Sequence, residues 1–415
     1  MEKEQSLFEW QRVKRFNLPV WTVLIGVLIA RTSYFMAWPF LVVFLYQDYN
    51  ASAIEVGAML AASALIGSLV GVYSGYLSDK FGRKWLMVIG CVLGFVAYSG
   101  IALASEMWHF HLLILLTGFM RPMIDGPAKA VIGDSLPDLK DRELALNLRY
   151  FLLNIGGAVG PLMGVTLALA QPQSLFLITG FTHLFYAFWI LFGVERKSAK
   201  VNQQAGETLL PDFTQTLKVI ARDKIFVLLL VANLLLMFVY AQLESSVPQV
   251  IVRSGIEDAA SLIAMLMVVN TATIVLFQFP LLKMLERVPL FSRTRIGMVL
   301  IAVGQVAFIV SPNDSALGWA MACFIISLGE VITFPTLNVQ IDRLAPAHLR
   351  GSYFGATALY SLGFAIGPIV GGAMIEWFGA SWLFALCFIV SVTMIWLYAL
   401  ASKVEDTVER EVAMQ

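Results

Sequence analysis

The sequence predicts an all-α, multi-pass membrane protein of about twelve transmembrane helices in two six-helix bundles, with both termini cytoplasmic. Three observations carry this prediction: an apolar composition, a division into twelve apolar runs, and basic residues confined to alternate loops. Of 415 residues, 59% are apolar and only 13% are charged. That is too little charge to cover a water-soluble domain. The mean hydropathy of +0.79 makes lipid and neighbouring helices the surroundings of most side chains. Net charge is zero, so nothing draws the chain to nucleic acid or another polyanion.

A bilayer-spanning helix needs ~20 mostly apolar residues. Such runs fall at 18–46, 53–78, 85–104, 110–133, 144–170 and 174–193. They resume at 225–250, 259–282, 294–311, 315–341, 351–375 and 380–400. Their internal Gly and Pro residues are tolerated in transmembrane helices. The first run follows a polar stretch, Met1 to Asn17, with no small-residue cleavage site. It is expected to be a retained helix, not a cleaved signal peptide.

Loop charge sets the expected orientation. Basic residues occur at Lys14 and Arg15, at Lys80, Arg83 and Lys84, and at Lys140 and Arg142. They recur at Arg196, Lys197, Lys200, Lys218 and Lys224, and then at Arg287, Arg293, Arg295, Arg343 and Arg350. The intervening loops, 47–52, 105–109, 171–174, 312–315 and 379–381, carry no Lys or Arg, and Arg253 is the main exception to the pattern. Positive charge stays cytoplasmic, so both termini should lie inside and the span count should be even. The longest polar stretch divides the spans six and six. The expected organisation is an N-terminal bundle over 1–194, a linker over 195–224, a C-terminal bundle over 225–401 and a tail over 402–415.

An internal repeat supports the two-bundle plan. Pro127 and Asp134 are followed by Pro137, Arg142 and the block Gly156-Gly-Ala-Val-Gly160-Pro161-Leu-Met-Gly164. Pro335 and Asp342 are followed by Pro346, Arg350 and Gly363-Phe-Ala-Ile-Gly367-Pro368-Ile-Val-Gly371. Parallel halves with a site at their interface are a transporter plan.

Charges within spans are costly and so mark function. Arg31 lies ~20 Å along the first span at 1.5 Å per residue, and Arg121 lies at similar depth in the fourth. Asp125 and Lys129 follow Arg121 at helical spacing, on one face. Glu330 falls near the middle of the tenth span and Glu244 on the seventh. A carboxylate in a low-dielectric site can load and release a proton, so Glu330, Asp125 and Glu244 are the proton-coupling candidates. The simpler role for Asp125 is to neutralise Arg121. The substrate-cavity candidates are Arg31, Tyr34, Arg121, Asn154, Tyr240 and Gln242. Phe35, Met36, Trp38 and Phe238 add a greasy lining, and Asn270 and Gln278 add neutral polar groups.

Other chemistry is not indicated. Cys91, Cys323 and Cys387 lie in apolar runs and read as small hydrophobes. His109 and His111 are too few for a metal site. Neither a phosphate-binding G-x-x-x-x-G-K-[ST] loop nor a G-x-S-x-G or H-E-x-x-H motif occurs, so neither ATP hydrolysis nor an enzyme's constellation is expected. No cofactor or metal is expected, and energy should come from an ion or substrate gradient.

Two motifs make a family resemblance specific. Gly75-Tyr-Leu-Ser78-Asp79-Lys80-Phe-Gly82-Arg83-Lys84 matches, at every defined position, the signature loop of the major facilitator superfamily. The equivalent stretch of the second half, Pro280 to Arg287, lacks the glycines. The Gly156–Gly160–Pro161–Gly164 block resembles the superfamily's fifth-helix antiporter motif, and Gly329 to Pro335 resembles the tenth helix of bacterial multidrug facilitators. The resemblance covers nearly the whole chain. It implies a gating latch of Gly75, Asp79, Gly82, Arg83 and Asp134, whose breaking favours the inward-open state. It also implies proton coupling through the carboxylate at Glu330. The expected function is proton-coupled export of small amphipathic organic compounds by a monomer in the bacterial inner membrane. The expected partners are substrate, protons and lipid, with no nucleic acid. The alternatives are export of one endogenous metabolite such as a siderophore, which Arg31 and Arg121 would suit if it is anionic, and proton-coupled nutrient import.

Overall fold

The structure is a computed structural model that describes residues 6–168, 172–195, 212–254, 256, 258–311 and 315–413. Twelve long helices run through it: α1 Leu18–Tyr49, α2 Ala53–Phe81, α3 Arg83–Leu103, α4 Met107–Ser135, α5 Leu139–Ala168 and α6 Pro172–Gly193, then α7 Lys224–Arg253, α8 Ala259–Met284, α9 Leu290–Val310, α10 Ala316–Leu344, α11 and α12 Ala380–Ala413. The eleventh is in two pieces, Arg350–Ala356 and Tyr360–Trp377, joined by a 3-10 turn over Thr357–Leu359. Short helices at Trp10–Val13 and Phe213–Arg222 complete the set, and no strand occurs among the described residues.

Local chemistry sets the helix ends. Asn17 and Ser52 accept from the backbone of Val20 and Glu55 and start α1 and α2. Asp223 and Asp258 do the same for α7 and α8. Each satisfies one of the amide donors that a helix start leaves open. Eleven of the spans are long and apolar enough to cross a bilayer. The remaining helix, α4, is 29 residues long but carries His109, His111, Arg121, Asp125 and Lys129. It packs against α2 and α3, which keep part of that polar surface within protein.

By contact the chain divides into two compact units. Unit 1 holds Met1–Leu217 together with Ile341–Ala358, and unit 2 holds Lys218–Gln340 and Leu359–Gln415. The segment from the end of α10 to the start of α11 thus packs with the first unit, although it follows the linker in sequence. The linker cations Arg196, Lys197 and Lys200 lie outside the described residues, as do Gln171 and 312–314. Helix α12 continues to Ala413, past the end of its apolar run.

The repeat in sequence reappears as a repeat in packing. Within unit 1, α1 packs on α5 and α6, and α3 packs on α6. Within unit 2, α7 packs on α11 and α12, and α9 packs on α12. Each pairing recurs six helices later. The two glycine blocks sit at equivalent places. Along α5, Gly156, Gly160 and Gly164 face α1 between Leu28 and Phe40, and along α11, Gly363, Gly367 and Gly371 face α7 between Leu234 and Ser246. Side chains lie between the ends of this stretch only where glycine leaves room, so the backbones meet. A Cβ on Gly160 would stand 2.5 Å from the Thr32 carbonyl oxygen and 2.8 Å from Phe35 Cβ, whereas one on Gly157 would be 3.6 Å from the Phe35 ring. Gly160→Ala should therefore cost about 1–3 kcal/mol by overpacking. Gly157→Ala should be neutral or slightly stabilising, since alanine is the better helix former. Thermal unfolding of the two variants in detergent checks the contrast.

Candidate functional site

The basic loop of the signature motif is a single residue. Helix α2 ends at Phe81 and α3 begins at Arg83, and Gly82 turns the chain at φ 97°, a conformation that residues with a Cβ rarely adopt. The turn sets Asp79 and Arg83 against each other. Asp79, with its side chain 2% exposed, accepts from the Gly351 amide at 2.9 Å, the Ser352 amide at 2.6 Å and the Ser352 hydroxyl at 2.5 Å, and also from Arg83. The carboxylate caps the Arg350–Ala356 helix from another part of the chain, where a negative charge is favoured. The approach requires Gly75, because a Cβ there would lie 2.8 Å from Gly355 Cα and 3.0 Å from Ser352 Cα.

From Arg83 the network widens. Its guanidinium also donates to Ser78 at 2.9 Å and to Asp134 at 3.2 Å. Asp134 accepts from Arg350, Arg350 lies 3.0 Å from Asp342, and Arg142 lies 3.8 Å from Asp342. Asp134 of the first repeat thus pairs with Arg350 of the second, and Asp342 lies between Arg350 of its own repeat and Arg142 of the first. Glu143 and Arg343 add a pair at 2.8 Å. All these residues belong to unit 1.

A second group lies at mid-depth in unit 1. The Arg31 guanidinium sits 4.3 Å from the Phe35 ring centroid and 5.7 Å from that of Tyr34, and Arg121 sits 5.8 Å from the same Tyr34 ring. Tyr34 in turn stacks on Trp38 at 5.2 Å. Asp125 is paired not with Arg121 but with Lys129 at 3.0 Å and with Arg149. Asn154 donates to the Tyr150 carbonyl at 2.9 Å, one turn back on its own helix. Pro161 lies inside α5, next to Gly160.

Unit 2 holds the remaining candidates. Glu330 is 2% exposed and accepts from the Asn270 amide of α8 at 2.7 Å. The same amide reaches Ser327 at 2.9 Å, one turn before Glu330 on α10. Glu330 lines a small cavity with Tyr240, Gln242, Gln305, Phe308, Phe334 and Phe384. The space is about 10 Å³, close to the least that holds one water. Tyr240 rests on Phe334 at 5.2 Å. Gln242 is buried, donates to the Phe238 and Gly367 carbonyls at 3.0 Å each and accepts from Ser246, which ties α7 to α11. Glu244 lies on an exposed face of α7. His109 closes the capping box of α4, and His111 lies 3.4 Å from Glu55.

Sequence reasoning singled out Asp79, Arg83 and Asp134, and the fold joins them. It passed over Arg149 and Glu143, although each is a charge inside or beside the fifth apolar run, the signal that picked out Arg31. Ser352 and Gly351 act through backbone amides, which no residue type announces.

A helical, multi-pass membrane protein with parallel half-repeats and a charged turn between α2 and α3 has the architecture of a secondary transporter. The sequence profile of the Major Facilitator Superfamily matches residues 23–361, and the chain belongs to that superfamily. It is 30% identical over 361 residues to the uncharacterized MFS-type transporter YqjV of Bacillus subtilis (strain 168), covering 87% of each chain. It is 24% identical over 402 residues to a Na(+), Li(+), K(+)/H(+) antiporter of Planococcus maritimus, covering 90% of this chain and 93% of that one. It is 23% identical over 375 residues to the multidrug resistance protein MdtH of Shigella dysenteriae serotype 1 (strain Sd197), covering 89% of this chain and 87% of that one. Among solved structures, that of the human organic anion transporter MFSD10 superposes with a TM-score of 0.74 at 15% identity, covering 92% of this chain and 99% of that one. The last likeness is one of fold alone.

Removing one member of a buried charge pair leaves the other uncompensated, at about 3–5 kcal/mol. Asp79→Ala should therefore destabilise the protein, since it removes one of the two carboxylates of Arg83 and uncaps the Arg350–Ala356 helix. Lys80→Ala, at an exposed position, should fall within about 0.5 kcal/mol of wild type. Unfolding midpoints of the two variants in detergent check this.

Proposed function

We propose that this chain is a proton-coupled secondary transporter that exports small amphipathic organic compounds across the bacterial inner membrane. The observation that carries this reading is Glu330, a carboxylate buried within a bilayer-spanning helix and held by a neutral amide beside a cavity lined mainly by apolar side chains. A carboxylate there can be charged or neutral, with the amide stabilising the charged form by a charge-assisted hydrogen bond. Asp125 takes another role in this account. It is clamped between two cations and serves as their counter-charge. Glu244, on an exposed face of α7, is a subsidiary candidate.

Export is favoured over import by the fifth-helix motif and by the multidrug and antiport functions carried in the names of two relatives. The closely packed glycine faces give α1 with α5, and α7 with α11, smooth surfaces on which packing can shift at low cost. The Asp79–Arg83–Asp134–Arg350 cluster is the cytoplasmic latch in this reading. Because Ile341–Ala358 is continuous with α10 and α11, opening the cluster would release the start of α11 and favour the inward-open state. Proton binding at Glu330 would then help displace substrate outward. The N-terminal and C-terminal bundles, joined by the polar linker, are the parts whose motion would alternate access, and the monomer is the functional unit.

The test is uptake of fluorescent amphipathic dyes, of either charge, into inverted vesicles with an acidic interior. Wild type should take up dye only while the gradient stands, and Glu330→Gln should abolish that dependence. Failure of wild type to move any dye under a proton gradient would contradict the reading.

A further inference from the structure

Gln305 on α9 is a buried amide that the chain itself leaves uncommitted. It is 3% exposed, and no hydrogen bond joins its side chain to another described residue. It lines the Glu330 cavity of unit 2. A buried amide without partners is costly. Its two N–H donors and its carbonyl acceptor have that cavity beside them. Gln242, the other amide of the lining, is committed elsewhere: it donates to the Phe238 and Gly367 carbonyls and accepts from Ser246. Glu330 is the one charged group among the lining residues, and Tyr240 is the one other titratable group.

Glu330 poses the complementary problem. It accepts from the Asn270 amide nitrogen of α8 at 2.7 Å, and that nitrogen also reaches Ser327. An amide nitrogen donates and cannot accept, so it suits the charged carboxylate. A protonated Glu330 turns one oxygen into an O–H donor. That O–H needs an acceptor, which the Asn270 nitrogen cannot be. Across the cavity, whose space is about one water in size, Gln305 offers both donor and acceptor. A water is the smallest link between the two side chains, because it can donate in either direction.

We propose that Gln305 is a positioning residue for the coupled proton, and that it acts through one water held between its amide and Glu330. In the charged state the Gln305 N–H donates to the water, and the water donates to the carboxylate. In the neutral state the order reverses. The Glu330 O–H donates to the water, and the water donates to the Gln305 carbonyl after a half-turn of the amide. The two states differ by the one proton on Glu330, and the rearrangement itself transfers none. One amide thus serves both protonation states, where the Asn270 nitrogen serves the charged one. The proposal rests on the reading of Glu330 as the proton carrier and adds the group that receives the hydrogen bond of its acid form.

The test is infrared difference spectroscopy on the purified full-length protein across a pH step, in ordinary water and in water enriched in heavy oxygen. The Glu330 carboxyl band, identified by its loss in Glu330→Gln, should come with a water O–H stretch that moves in heavy-oxygen water. That comparison needs no variant of Gln305. In Gln305→Met, which nearly keeps the volume and removes the amide, the carboxyl band should move to higher wavenumber and the water stretch should vanish. Gln305→Asn keeps an amide and should restore both in part. An unfolding midpoint near that of wild type shows that each variant is folded. A charge-assisted hydrogen bond is worth about tenfold. Gln305→Met should therefore lower the maximal rate of proton-driven dye uptake by about that factor, at an unchanged half-saturating dye concentration. If the band is lost in Glu330→Gln but stands unchanged with its water stretch in Gln305→Met, this proposal is overturned and the Glu330 reading stands. A wild-type carboxyl band with no water companion also overturns it. A titrating band that survives in Glu330→Gln overturns both.

Discussion

The constraint on which this structure depends is that a charge inside the bilayer must find its partner within the protein. Water is absent there, and each uncompensated charge costs several kcal/mol. The chain answers in two ways within the spans, and pairs buried charges in the same manner where the spans end. At the α2–α3 turn, Asp79, Arg83, Asp134, Arg350, Asp342 and Arg142 compensate one another in a closed network. In the middle of unit 1, Asp125 is shared between Lys129 and Arg149. In unit 2, Glu330 is held by the neutral amide of Asn270. A carboxylate paired with cations is a fixed part of the fold, while one held by an amide is open to a proton.

The repeat supplies the economy of the design. The same G-x-x-x-G-P face packs α5 on α1 and α11 on α7, and the same Asp and Arg recur at the ends of α4 and α10 and the starts of α5 and α11. Those repeated charges meet in one cluster, Arg350 lying between Asp134 and Asp342, with Arg142 also near Asp342. Among the described residues the Asp79 cap occurs in the first half, and the equivalent stretch of the second half, Pro280 to Arg287, lacks the glycines that allow such close approach.

Much of this was legible in the sequence. Hydropathy placed all twelve long helices, and the stretch from Gly75 to Lys84 stood out through its resemblance to the superfamily's signature loop. Helix α4 was legible as a span even though Arg121, Asp125 and Lys129 dilute its apolar character. Other features were hidden for physical reasons. The partner of Asp125 is not its helical neighbour Arg121 but Arg149, 24 residues away on α5, and side-chain direction rather than spacing decides that choice. Gln242 reads as a polar cavity residue in sequence, yet it spends its amide on the Phe238 and Gly367 carbonyls. The packing of Ile341–Ala358 with the first unit uses, beside its ion pairs, the backbone amides of Gly351 and Ser352, which carry no signature.

The claim that most needs a direct test is that Glu330 carries the coupled proton. Infrared difference spectroscopy on the purified protein, recorded as pH is stepped, would show a protonated-carboxyl carbonyl band that grows as pH falls. The account predicts that this band is missing from Glu330→Gln and present in Glu244→Gln. A titrating band that survives unchanged in Glu330→Gln would place the proton on another carboxylate and contradict the account.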